Sequence, residues 1–147
     1  MTNGEANNVI VVGVDGSDAS KDALRWAHKQ AGFTGASLEV IATWEYPTSF
    51  GWAPAWPSDW NPAEDAKKAL ATLAEEVLGA NPDVKVRQVV LEGHPAPILV
   101  AAGANADLLV VGSRGHGEFA GMLIGSVSEY CAMHAPCPVV IIRRKVG

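Results

Sequence analysis

The amino-acid sequence predicts an α/β fold, in which a five-stranded parallel sheet is covered by helices on both faces. Short runs rich in valine and isoleucine alternate along the chain with segments whose apolar residues recur at helical spacing. The first run, residues 9–14, contains only apolar residues and glycine, as expected for a strand buried on both faces. Because right-handed crossovers join parallel strands, few topologies fit this order of elements.

The first half of the chain holds two strand–helix pairs. The strand at residues 9–14 is followed by a helix over residues 20–31, which Gly32 is expected to end. The second strand covers residues 37–44. A second helix begins at Asn61, whose side chain suits a helix cap ahead of a proline, and runs to a glycine at position 79.

The second half repeats the alternation and completes the sheet. The predicted strands are residues 84–91, 108–111 and 138–142, and the predicted helices are residues 95–104 and 126–134. No internal repeat or domain boundary is evident, and a length of 147 residues suits one domain. We therefore expect residues 1–147 to form a single domain.

Composition and charge exclude several classes of protein. The formal charge of −5 argues against a nucleic-acid-binding protein, which usually carries a basic face. No apolar run approaches the roughly 18 residues that span a bilayer, and the first residues show no secretory signal pattern. We expect a cytoplasmic protein without membrane or nucleic-acid partners.

Two cysteines and a histidine form the pattern Cys131-x-x-His134-x-x-Cys137. This spacing matches zinc sites poorly, and prolines interrupt any helix there. In a reducing cytosol the thiols would stay free. We expect two packing thiols and no metal site.

An aromatic segment separates the second strand from the second helix. Residues 45–60 contain three tryptophans, a tyrosine, a phenylalanine and three prolines, a composition too apolar for a free linker. We favour a loop that covers the domain's own core. A lid over a binding site and a surface for a protein partner are the alternatives.

A glycine-rich segment, residues 112–128, follows the fourth strand and leads into the fourth helix. Free N–H groups and the dipole at a helix start attract anions, and glycines let the backbone approach a phosphate. Ser126, Ser128 and Arg114 add hydroxyl and guanidinium donors. Ser126 and Glu129 also match a capping box, which would stabilise the helix without a ligand. On these residues alone, both interpretations stay open.

The first strand ends in a polar segment of its own, residues 14–17. Ligands of open parallel sheets bind beyond the carboxyl ends of the strands, where the winding reverses. If the first and fourth strands are neighbours, this segment and the glycine-rich segment face one crevice.

Three stretches make the chain resemble a universal stress protein of the ATP-binding branch. Residues 14–17 read V-D-G-S, residues 107–115 read D-L-L-V-V-G-S-R-G, and residues 137–142 read C-P-V-V-I-I. The family's nucleotide motif is glycine, two residues, glycine, nine residues, glycine and serine. Its positions here are Gly112, Gly115, Gly125 and Ser126. The likeness covers nearly the whole chain.

The resemblance implies a three-layer α/β/α fold with the Rossmann-like topology of adenine nucleotide alpha hydrolases, strand order 3-2-1-4-5. It implies a site for ATP, with or without Mg²⁺, whose phosphates lie on the glycine-rich segment. Asp15 would meet the adenine or ribose edge, although a turn or helix-cap role is the plainer alternative. The residues implied to bind ATP are Val14, Asp15, Thr43, Val111, Gly112, Arg114, Gly115, Gly125, Ser126, Val127 and Ser128.

The implied function is nucleotide-dependent sensing or regulation in a stress response, by a homodimer that pairs through residues 138–142. A cyclic AMP-binding or sequestering protein and a slow ATP hydrolase are the alternatives. We expect no catalytic residue, because Asp15 is placed at the nucleoside end and Glu129 is explained by the capping box. His116 and Glu118 lie in the loop, where fast chemistry would need better support.

Overall fold

The five strands form one parallel sheet in a computed structural model that describes residues 8–46, 59–80, 82–113 and 124–143. The order is β3-β2-β1-β4-β5, which confirms the expected α/β fold and its topology. The strands are β1 (Val9–Gly13), β2 (Ser37–Trp44), β3 (Val86–Glu92), β4 (Leu108–Gly112) and β5 (Val139–Ile142).

Four α-helices within the described residues connect the strands. They are α1 (Asp18–Thr34), α2 (Pro62–Leu78), α3 (Pro95–Ala102) and α4 (Ser126–His134), and a short 3-10 turn, Gly103–Asn105, follows α3. Within the described residues, no helix is long and apolar enough to cross a membrane.

The ends of α1 differ from the prediction. The helix begins earlier because the Ser17 side chain accepts a hydrogen bond from the Ser20 N–H, a helix cap. It also continues through Gly32 and ends at Gly35, whose φ of 76° lies in the left-handed region. The Gly35 N–H donates to the Ala31 carbonyl at 2.9 Å and closes the last turn.

The helices α1 and α2 cover one face of the sheet, and α3 and α4 cover the other. Side chains that alternate along each strand build a core on each face. Val12 and Val40 pack in the core beneath α1, whereas Val11 and Ile41 pack with Leu99 of α3. Cys131 is buried in this second core and Cys137 packs against it; neither forms a disulfide.

The winding of the sheet reverses between β1 and β4. The chain leaves β1 towards β2 on one side, and β4 lies on the other side of β1. A crevice therefore opens at the carboxyl ends of these two strands, where α/β sheets bind ligands.

The aromatic segment lies mostly outside the described residues, which stop at position 46 and resume at 59. At its two ends, the Tyr46 ring lies edge-on to Trp44 at 5.2 Å and to Trp60 at 5.7 Å, measured between ring centroids. These contacts join the end of β2 to the start of α2. The core-covering, lid and partner interpretations of residues 45–60 stay predictions.

Candidate functional site

A cavity of about 270 Å³ opens at the carboxyl ends of β1, β2 and β4, between the N-termini of α3 and α4. Every predicted site residue within the described part of the chain lines it. They are Val14, Asp15, Thr43, Val111, Gly112, Gly125, Ser126, Val127 and Ser128. Arg114 and Gly115, predicted with them, lie outside the described residues, as do His116 and Glu118.

Ser17, from the polar segment predicted to face the crevice, also lines the cavity, as do six residues that the sequence did not single out: Gly13, Ser20, Ile41, His94, Pro95 and Leu99. Two of them, His94 and Pro95, start α3. The signal that would have found them is their place directly after β3, since a parallel sheet brings every strand end to one edge.

Asp15 organises the turn after β1. Its Oδ1 atom accepts a hydrogen bond from the Ser17 N–H at 2.9 Å, and its own N–H donates to Ser20 Oγ at 3.3 Å. The intervening Gly16 has a φ of 86°, which favours glycine. Asp15 thus has the turn role that was the plainer alternative, while it remains exposed at the edge of the cavity.

The start of α4 corrects the capping-box interpretation. The N-cap residue is Gly125, in extended conformation and without a side-chain cap, and Ser126 is the first helical residue. The Glu129 N–H donates to the Gly125 carbonyl at 2.9 Å, so this N–H is paired without the Ser126 hydroxyl. Since the first residues of α4, among them the exposed Ser126, line the cavity, the positive end of the helix dipole faces it.

The two ends of the glycine-rich segment are joined at Ser113. Its carbonyl accepts hydrogen bonds from the Gly125 N–H and from the Ser128 hydroxyl, which lies 2.9 Å away. The same hydroxyl lies 3.0 Å from the Gly125 carbonyl, and its residue is 2% exposed. Ser128 donates its hydroxyl proton to the backbone and thereby stabilises the buried side of the cavity wall. The hydroxyl exposed to the cavity is that of Ser126.

Two glycines bring the backbone close to neighbouring elements. A Cβ atom on Gly112 would lie 2.8 Å from the backbone carbonyl carbon of Ala19, in the first turn of α1. A Cβ atom on Gly13 would lie 2.6 Å from Leu99 Cδ1. These contacts keep α1 and α3 tight against the sheet, and Leu99 lies in the cavity wall beside Gly13.

Within the described lining, the titratable side chains are Asp15 and His94. His94 Nδ1 lies 3.6 Å from Glu45 Oε2, and both side chains are more than half exposed. The remaining lining is apolar or carries hydroxyl and backbone amide groups. This combination suits a ligand that has a flat apolar part and an anionic part.

Comparison with known proteins identifies a family that matches nearly the whole chain. The model of the universal stress protein family matches residues 7–143. A curated universal stress protein of Mycolicibacterium smegmatis is 38% identical over 137 residues, which cover 91% of this chain and 45% of that relative. The chain spans about half the length of the curated relatives it matches.

Solved structures agree on the fold. Universal stress protein UspA from Lactobacillus plantarum has a TM-score of 0.73 at 23% identity, over 93% of this chain and 98% of that one. A universal stress protein solved in complex with cAMP has a TM-score of 0.67 at 27% identity, over 92% of this chain and 95% of that one.

Proposed function

Because the chain belongs to the universal stress protein family, we propose that it binds an adenine nucleotide, preferably ATP, in the cavity between β1 and β4. It would act as a cytoplasmic, nucleotide-dependent sensor or regulator in a stress response. One observation carries the proposal: the N-terminus of α4 faces the cavity without a side-chain cap. An uncapped helix start that lines a cavity suits a phosphate group.

The phosphates are assigned to the α4 end of the cavity. Of the first residues of α4, Ser126 supplies an exposed hydroxyl, and Val127 also lines the wall. Arg114 and Gly115 follow Ser113 in the chain, and we expect them to add donors to the same group. Backbone amides, a hydroxyl and an arginine are the usual ligands of phosphate oxygens.

The nucleoside is assigned to the ends of β1 and β2. Val14 and Thr43 line this side, and Val111 lines the cavity from β4; their small, mostly apolar surfaces accept a flat base. Asp15 keeps an exposed carboxylate at the edge, where it can accept a hydrogen bond from a ribose hydroxyl. The turn hydrogen bond from Ser17 would hold this carboxylate in place.

Cyclic AMP is a second candidate ligand, favoured by the 27% identical relative that was solved in complex with cAMP. A cyclic nucleotide brings one phosphate charge, whereas ATP brings three phosphates. Mass spectrometry of small molecules that copurify with the protein distinguishes the two. Calorimetry of ligand-free protein with ATP, with and without Mg²⁺, and with cyclic AMP then gives the order of affinity.

The substitution Ser126→Asp tests the phosphate placement. A carboxylate at the first helical position favours the helix dipole, so we expect the folded state to be as stable as the wild type or more so. The same carboxylate repels phosphate, and ATP affinity should fall at least about tenfold, or 1.4 kcal/mol. The neutral, similarly sized Ser126→Asn variant is the control and should bind nearly as the wild type does.

Each result has a distinct meaning. ATP binding by Ser126→Asp with wild-type affinity contradicts the phosphate placement. Loss of binding in Ser126→Asn as well would show that the site does not tolerate the added bulk, and Gly115→Val then serves as the second variant, since a β-branched side chain blocks close approach of the backbone to a phosphate. Failure of the wild type to bind any adenine nucleotide contradicts the proposed function itself.

We also propose a homodimer that pairs through β5, which lies at one edge of the described sheet. An edge strand leaves alternate N–H and C=O groups unpaired, and these groups can bond to the same strand of a second copy. A two-fold axis would make the pairing antiparallel.

A further inference from the structure

Gly13 leaves a gap at the inner end of the cavity. In the sheet it lies opposite Ile41 of β2, and on its other side β4 continues from Val110, the partner of Val12, to Val111. Ile41 and Val111 are buried in the core that packs against α3, and both line the cavity. Because glycine has no side chain, the row from β2 to β4 has an open space between two larger side chains.

Leu99 of α3 fills this gap. A Cβ atom on Gly13 would lie 2.6 Å from Leu99 Cδ1, 3.0 Å from Cδ2 and 3.4 Å from Cγ. The end of the leucine side chain thus occupies the space where a side chain of Gly13 would begin. Leu99 is 3% exposed and lines the cavity. We call the three apolar side chains at this inner end, those of Ile41, Leu99 and Val111, the apolar floor.

The apolar floor borders the side of the cavity that is assigned to the nucleoside. Gly13 ends β1 and pairs with Ile41 of β2, whereas the phosphates are assigned to the start of α4 at Ser126. Asp15, at the edge of the cavity, is exposed and is assigned to the ribose. In a purine nucleotide the ribose is attached to the five-membered ring. With the ribose at Asp15, the six-membered ring and its amino group are the part of the base that reaches the apolar floor.

We propose that Leu99, seated on Gly13, sets the depth of the nucleoside end of the cavity and thereby the size of the base that the protein accepts. The inference rests on the proposed nucleotide function and names a specificity-determining pair of residues for it. An unsubstituted adenine packs against the apolar floor, and a base enlarged at its amino group meets Leu99. The leucine cannot retreat, because the backbone of Gly13 lies behind it in a close-packed core.

The first test is Gly13→Ala, measured by calorimetry with ATP and with adenosine. Gly13 lies in a strand, so alanine fits its backbone, but the added methyl group displaces the end of Leu99 towards the cavity that it lines. Both ligands should bind about tenfold more weakly, because overpacking acts on the base that they share. An unchanged affinity, or a loss for ATP alone, overturns the inference and leaves the proposed function intact.

The second test repeats Gly13→Ala in a Leu99→Ala background. Leu99→Ala removes Cγ and both Cδ atoms, and with them all three close contacts to the new methyl group. Gly13→Ala should then change ATP affinity by less than about twofold, since the two positions are coupled. A loss as large as in the wild-type background would show that the methyl group does not act through Leu99, and it overturns the inference. If Leu99→Ala does not fold, Leu99→Val, which lacks both Cδ atoms, takes its place.

The third test measures the size of the base with N6-methyl-ATP, which has one methyl group more than ATP. The wild type should bind it about tenfold more weakly than ATP, and Leu99→Ala should narrow this ratio to about twofold. Leu109→Ala is the matched control. Leu109 is fully buried in the same core but is not part of the described cavity lining, so its loss should destabilise the fold and leave the ratio unchanged.

The outcomes separate the inference from the proposed function. A ratio that is equal in the wild type and Leu99→Ala overturns the inference. A ratio that narrows equally in Leu109→Ala also overturns it, because a general loosening of the core would then explain the change. Failure of the wild type to bind any adenine nucleotide overturns both the inference and the proposed function.

Discussion

The Ser128 hydroxyl oxygen lies 2.9 Å from the Ser113 carbonyl oxygen, and this contact closes the glycine-rich segment from inside the protein. Ser128 is 2% exposed, so Ser128→Ala removes a buried donor. We expect a loss of about 1–2 kcal/mol in the free energy of unfolding. Urea denaturation measures it. The exposed Ser126→Ala is the control and should change stability by less than about 0.5 kcal/mol. Equal effects of the two changes would contradict the structural role of Ser128.

Gly112→Ala should destabilise the fold. The added Cβ would lie 2.8 Å from the Ala19 backbone carbon, and neither backbone can yield easily. We expect a cost of about 1–3 kcal/mol, as for other overpacked positions. Gly32→Ala is a matched control, because its Cβ meets nothing within 4 Å inside α1. There alanine should stabilise the helix by about 0.5–1 kcal/mol. Thermal unfolding of both variants checks the opposite signs.

Dimer formation through β5 can be tested with two separate proline substitutions in that strand. The Pro138 carbonyl accepts a hydrogen bond from Leu109 of β4, and the Ile142 carbonyl accepts one from Ser113, directly after β4. By alternation, the backbone of Val140 also faces β4. The backbone of Ile141 then faces the open edge. Ile141→Pro should yield a folded monomer in sedimentation at micromolar concentration, because proline is tolerated on edge strands. Val140→Pro should instead destabilise the fold itself. A wild-type chain that sediments as a monomer would refute the dimer.

The two thiols should differ in reactivity. Burial, and to a smaller extent Cys137 nearby, raises the pKa of Cys131 to about 11, so its thiol stays neutral. Burial also raises the pKa of Cys137, and the Asp107 carboxylate raises it further. Cys137 is, however, partly exposed. At pH 8 we expect a thiol reagent to label Cys137 slowly and Cys131 only after unfolding. Because folding raises the Cys131 pKa, stability should fall as pH rises from about 9 to 11. A Cys131→Ala variant should lose this part of the pH dependence.

Hydrolysis of ATP should be slow or absent. Phosphoryl transfer needs a residue that orients the nucleophile, and the described cavity offers Asp15 at the end assigned to the nucleoside. We expect turnover below about one per second in a phosphate-release assay on ligand-free protein. His116→Ala and Glu118→Gln, in the glycine-rich segment, should have little effect. Faster turnover that either change abolishes would make the protein a hydrolase.

The sequence predicted the strands and their carboxyl-edge site because both depend on local patterns. Runs of β-branched residues and a glycine spacing can be recognised without knowing which strands are neighbours. The helix over residues 126–134 was predicted with its observed bounds, but its cap was misassigned, since a serine after glycine matches the capping pattern although Gly125 takes the cap position. His94 was missed for a different reason. Its place on the cavity depends on the bond between Gly93 and Trp44, which joins strands far apart in the chain.

The approach of Gly112 to Ala19 has a consequence for how related sequences are interpreted. This glycine belongs to the nucleotide motif, yet the first turn of α1 already excludes any side chain there. A relative that has lost its ligand in evolution would therefore keep the glycine for the sake of its fold. Ser126, the first residue of α4, is instead exposed on the cavity wall. Its replacement, rather than that of Gly112, is the change that should mark family members without a bound nucleotide.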